Sequence, residues 1–160
     1  MLNLNVIEVG TYHAHGSHGL SASSTHLPLE AHFEAESFPN ALVLEGKWQT
    51  HSDRPAYAFR VELSRDHTSQ SQADATVTAT GVGVLSGRMS MRGPTLELLA
   101  SDSSSGSQLS ARFVPMEKSR TYEISGIVSF KGQYWFPFHF RAVPLETALA
   151  KVVALPKRSA

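Results

Sequence analysis

The chain has no cysteine. That removes disulfides, thiolate-held metals and a cysteine nucleophile from consideration. Net charge is missing too, with 14 Lys and Arg standing against 14 Asp and Glu. Without a long-range positive field nothing gathers phosphates or anionic lipid, so neither nucleic acid nor a membrane is an expected partner. No stretch reaches the roughly 18 apolar residues of a membrane helix. The opening Met1-Leu2-Asn3-Leu4-Asn5-Val6 lacks the basic-then-apolar order of a secretion signal, so a soluble cytoplasmic protein is expected. Glycine-rich phosphate loops, a serine elbow and a spaced Asp/His/Ser set are also missing. The sequence names no cofactor.

What the chain has instead is alternation. Leu29, Ala31, Phe33 and Ala35 share one face of an extended segment, opposite Glu30, His32, Glu34 and Glu36. Leu42, Leu44, Gly46 and Trp48 repeat the pattern, as do Tyr57, Phe59, Val61 and Leu63. Period two with one wet face is the signature of half-buried antiparallel strands. Short polar turns at Ser37–Asn40 and His51–Pro55 join neighbours. The tracts Asp66–Asp74 and Ser101–Gly106 read as polar loops. Between them, Asp74–Leu85 reads as one strand in which Gly81 and Gly83 mark a bulge or a corner. Further strands begin at Gly87, Ser107 and Tyr122. Around a turn at Lys131-Gly132, the row Tyr122, Ile124, Gly126, Val128 and Phe130 faces the row Tyr134, Phe136, Phe138 and Phe140.

The expected fold is therefore all-β: an antiparallel up-and-down meander over 1–160, one domain, forming a barrel or a sandwich. Pro144–Leu155 changes period, placing Leu145, Leu149, Val152 and Val153 at helical spacing, and predicts a short C-terminal helix. Pro137 cannot donate to a ladder, which predicts an unpaired edge or bulge there and a barrel that is not fully closed.

Two sets of residues stand out as chemistry. Tyr12-His13-Ala14-His15-Gly16-Ser17-His18 places His13 and His15 on one side of a strand about 7 Å apart, a spacing suited to a metal. His18 is the expected third ligand, folding back from a turn at Gly16. The plainer account is a histidine-rich, solvated strand end. The aromatic row is the second set: Tyr134, Phe136, Phe138 and Phe140, with Phe130 and Tyr122 across the hairpin, form apolar surface that core, ligand or partner must cover. Trp48, Tyr134, Phe136 and Phe138 are the candidate ligand contacts.

Gly46-Lys47-Trp48 resembles the glycine-x-tryptophan signature of lipocalins, which implies a tryptophan plugging one barrel end. It falls on the third strand here, whereas lipocalins carry it on the first. Ile124–Gly132 with Pro137-Phe138-His139-Phe140 resembles the glycine-bounded hairpin of polyisoprenoid-binding bacterial barrels, an analogy between barrels that covers under a fifth of the chain. Three functions follow from these features. The first is a non-catalytic binding module holding a small hydrophobic ligand. The second is an assembly subunit, pairing with a second copy or another protein through the edge near Pro137 or an aromatic surface including Trp135. The third is a metal-dependent barrel enzyme using His13 and His15.

Overall fold

Among the described residues, ten strands follow one another with no crossover. They are β1 (Gly10–Gly19), β2 (His26–Phe38), β3 (Ala41–Gln49), β4 (Tyr57–Arg65), β5 (Gln72–Ala79), β6 (Gly83–Arg92), β7 (Thr95–Asp102), β8 (Ser107–Pro115), β9 (Tyr122–Phe130) and β10 (Tyr134–Pro144), with helix α1 (Leu145–Val153) at the end. The computed structural model describes residues 7–19, 26–50, 55–65, 71–118, 120–132 and 134–153; the side chains of Tyr134 and of 150–153 lie outside that description. Each strand pairs antiparallel with the next, and β1 pairs with β10. The result is a closed up-and-down barrel, which decides between barrel and sandwich.

Closure corrects the expectation drawn from Pro137. Its residue pairs with Ile127 of β9. On the other side the β1–β10 ladder ends at His18↔Phe138, one residue short of the proline. The missing N–H therefore falls at the rim, where it interrupts nothing. The glycines near 81 and 83 are also corrected. They do not bulge a strand but turn one: β5 ends at Ala79, and Gly81 (φ 85°) and Gly83 (φ 90°) adopt left-handed backbone around the hairpin into β6. Such φ values are cheap for glycine alone. A second turn, at Gly93 (φ 59°), separates β6 from β7, a strand that the sequence reading passed over. Gln72–Asp74 belongs to β5 rather than to a loop; residues 66–70 lie outside the described residues.

Strand alternation then sorts the side chains. Inward go Tyr12, Ala14, Phe33, Leu42, Leu44, Leu63, Ala75, Leu85, Met89, Leu98, Phe113, Tyr122 and Ile124, all buried. Outward go Glu34, Glu45, Arg60, Asp74, Arg88, Arg112 and Arg141, all exposed. A charged outer wall around an apolar interior is the inverse of the pattern of barrels that face lipid. No helix among the described residues is long and apolar enough to cross a membrane.

The strands tilt. Following registers from His18 through Phe138, Gly126, Ala111, Leu98, Met89 and Ala73 leads to Arg65, from one rim of the barrel to the other. Eight strands enclose just enough room for side chains, so ten leave a wider bore. Aromatic rings fill it. Tyr12 stacks on Phe33 with centroids 5.0 Å apart and meets Tyr122 at 5.9 Å. Glycine and alanine on the facing strands make room for them. Gly46 lies directly opposite Phe33, and a Cβ there would meet the Phe33 Cα at 2.6 Å.

One end of the barrel is sealed. Before β1, Ile7 is buried, the Tyr12 hydroxyl donates to the Glu8 carbonyl (2.5 Å), and the Glu8 N–H donates to the Tyr122 hydroxyl (3.1 Å). Burial pushes the Tyr12 phenol up to about 12, so it stays a donor. The Arg120 guanidinium lies 5.4 Å from the Tyr12 ring centroid and pairs with Glu146 of α1, which ties the helix to this end. The helix was expected from Pro144; it begins one residue later, at Leu145, and Pro144 closes β10.

The facing assignment is open to a test on two adjacent leucines. Leu98 is 1% exposed and Leu99 is 62% exposed. Leu98→Ala should cost about 2–5 kcal/mol. Leu99→Ala should fall within about 0.5 kcal/mol. Urea denaturation of both variants measures the difference, and equal costs would contradict the alternation.

Candidate functional site: an aromatic mouth and a histidine seam

The two ends of the barrel differ. At the sealed end most inward side chains are buried, Tyr12, Leu42, Leu63, Ala73, Met89 and Ala142 to within 1% exposure, with Met91 half-buried at the end of β6. At the other rim, reached by the starts of β2, β4 and β10 and the ends of β1, β3 and β9, inward side chains are only half-buried. Trp48, Phe59, Val82, Leu109, Phe138 and Phe140 pack against the core from this side, and Phe136 and Phe130 are likewise half-buried.

Local sequence explains the arrangement. Phe138 and Phe140 alternate inward on β10, stacked with centroids 5.9 Å apart. Each faces a glycine: Phe138 opposes Gly126 of β9 and Phe140 opposes Gly16 of β1. A Cβ on Gly126 would meet the Phe138 ring at 2.8 Å, so the missing side chain is the room in which the ring lies. Across the opening, Trp48 stacks on its register partner Tyr57 at 4.9 Å. Phe130 meets Phe136 edge to face at 5.2 Å. Of the aromatic residues singled out from sequence, Trp48, Phe136 and Phe138 all turn inward at this rim. Tyr134 belongs to β10, but its side chain lies outside the described residues. Phe140, a member of the same aromatic row, joins them, whereas Phe59 and Leu109 were not singled out although the same alternation marks them.

The histidines divide between faces. β1 does not turn at Gly16; it continues to Gly19. His13 and His15 point outward, with ring centroids 6.0 Å apart. His18, an odd number of residues away, shares the inward parity of Tyr12 and Ala14 and cannot join them. The residue that does is His32 of β2, the register partner of His13, stacked on it at 4.5 Å. Among the described residues no group of three or more His, Asp or Glu is arranged to hold a metal. Around this seam, His15 pairs in register with Glu30 and Arg141. Arg141 and His139 both reach Glu123, at 2.6 and 2.8 Å.

Two open depressions lie over β2 to β5. An open trough of about 560 Å³ runs over β2 and β3 beside Glu30, Glu34, Glu45, Lys47 and Arg60. A smaller one of about 280 Å³ adjoins it over β4 and β5. Phe38, Val43 and Trp48 line the first beside these charges, and Ala58 and Phe59 line the second, so both are mixed and open to solvent. Fold and rim together define an up-and-down barrel with one sealed end and one aromatic mouth. No protein-family model matches the chain, and no curated protein is similar to it in sequence.

His13 gives the seam a measurable property. Its Nε2 is shielded from water without a hydrogen-bond partner. Burial, then His32 and more weakly His15, hold its pKa below the usual imidazole value, while Glu30 pulls the other way. From β10, uncharged Val143 is its register partner and Arg141 lies next along. With the folded pKa lowered, the unfolded chain takes up the proton first. Stability from this site is therefore complete above about pH 6.5 and is lost as pH falls below it toward the folded pKa. The urea midpoint should decline over that window, and His13→Thr should flatten the decline. An unchanged slope in the variant would remove His13 as its source.

Proposed function

We propose that the barrel is a non-catalytic binding module whose aromatic mouth takes a small apolar molecule. The observation that supports this reading is the asymmetry of burial: inward residues at the sealed end are covered apart from half-buried Met91, whereas the inward aromatics at the other rim are only half-buried. Apolar and aromatic linings with few polar groups are the usual make-up of small-molecule sites. The sealed half is filled by its own side chains, so the ligand belongs at the mouth and not deep in the bore. N-phenyl-1-naphthylamine, an uncharged probe that brightens in apolar surroundings, should bind with one site per chain. Phe138→Ala should lower its affinity about tenfold or more and cost less than the roughly 3–5 kcal/mol of a fully buried phenylalanine. Absence of probe binding, or full affinity in the variant, would count against the mouth.

A second reading rests on the outer wall. Leu99, Ser110, Ile127 and Pro137 are successive register partners across β7 to β10, and Trp135 lies beside them. Leu99, Ile127 and Trp135 are 62%, 42% and 47% exposed. This patch carries no charge, and the chain's zero net charge gives two copies no long-range repulsion. It fits self-association through this face. Sedimentation velocity should then show a dimer that Trp135→Ser converts to monomer; a monomer at all concentrations would end this reading.

A further inference from the structure

We propose that His18 is the polar anchor of the mouth, accepting a hydrogen bond from a hydroxyl group on an otherwise apolar ligand. The inference rests on the binding reading above and names the ligand class within it.

Three observations carry it. First, position: His18 lies at the rim end of β1 on the inward face, with Phe138 of β10 and Leu27 of β2 as its register partners. The imidazole thus stands in the aromatic lining itself. Second, protonation: His18 Nδ1 lies 3.2 Å from the Gly19 carbonyl oxygen. A carbonyl only accepts, so this contact selects the tautomer with its proton on Nδ1, in which Nε2 carries a lone pair. Third, that Nε2 is shielded from water and has no hydrogen-bond partner. A buried acceptor left unmade is a cost that a donor removes.

The chemistry of the occupant follows. The lone pair calls for an O–H, and the neighbouring Phe138, Phe136 and Phe140 call for an apolar or aromatic body. Because Nε2 is covered before binding, the ligand hydroxyl reaches it as the ring turns toward the lumen or as the ligand displaces its cover. An aromatic alcohol or another hydroxylated apolar molecule satisfies both demands. An ether of the same shape satisfies only the second.

The test compares 2-naphthol with 2-methoxynaphthalene, each displacing N-phenyl-1-naphthylamine. The ether is the more apolar of the two, so a purely apolar mouth favours it. With His18 as acceptor, 2-naphthol should bind about tenfold tighter. His18→Leu should abolish that preference while keeping ether binding, and His18→Gln, whose amide oxygen accepts near the same place, should keep it. Equal or reversed preference in the unmodified protein overturns the anchor, as does a preference that survives His18→Leu; in both cases the mouth stands. Failure of both compounds to bind overturns the mouth and the anchor together.

Discussion

Everything in this structure depends on the pairing of the first strand with the last. The β1–β10 ladder, Tyr12↔Pro144 through His18↔Phe138, turns a ten-strand meander into a closed wall with no edge. An open meander of this length would leave two rows of unpaired backbone groups and one exposed apolar face. Closure removes both at once, and it fixes the chemistry. Only because β1 lies against β10 does Gly16 accommodate Phe140, His18 stand beside Phe138, and His15 face Arg141.

With the wall closed, period-two alternation becomes a division of labour between inside and outside. A single residue of offset separates His13, stacked on His32 in the charged outer wall, from the inward Tyr12 and Ala14. The wide bore of ten strands has to be filled, and the filling is uneven. Phe33 occupies it where Gly46 gives way, and Tyr12, stacked on Phe33 and in contact with Tyr122, links β2 to β9 through β1. Large rings are used where small residues oppose them, as close packing requires.

The strands themselves were legible in the sequence because their signal is local. Glu30, His32, Glu34 and Glu36 against Leu29, Ala31, Phe33 and Ala35 admit one arrangement, and the structure has it. The hairpin at Lys131-Gly132 was legible for the same reason, and both residues adopt left-handed φ, 55° and 69°. What could not be read locally was what a glycine does. Gly81 and Gly83 turn the chain, whereas Gly46, Gly87 and Gly126 lie within strands against a neighbouring backbone or ring. The letters are the same, and the difference is set by a partner strand. Pro137 misled for a related reason: its cost depends on where the β1 ladder stops, and β1 is more than a hundred residues away. His32 was missed as the neighbour of His13 because only the β1–β2 register brings them together.

The two ends of the barrel use their polar groups differently, and that difference bears on function. At the sealed end the hydroxyls of Tyr12 and Tyr122 are both committed to Glu8, and Arg120 is committed to Tyr12 and Glu146. These contacts make that end a firm closure, although the covered Arg120 Nε has no hydrogen-bond partner among the described residues. At the mouth the lining is mainly phenylalanine, tryptophan and aliphatic residues, and the inward imidazole of His18 keeps an unmade hydrogen bond. Half-exposed aromatics and an unpaired acceptor both lower stability relative to a fully packed core. A barrel optimised for stability alone would close both ends alike. Carrying these costs at one rim, while the other is tied down by a network of phenols and an ion pair, is the distribution expected of a scaffold that keeps one end for binding.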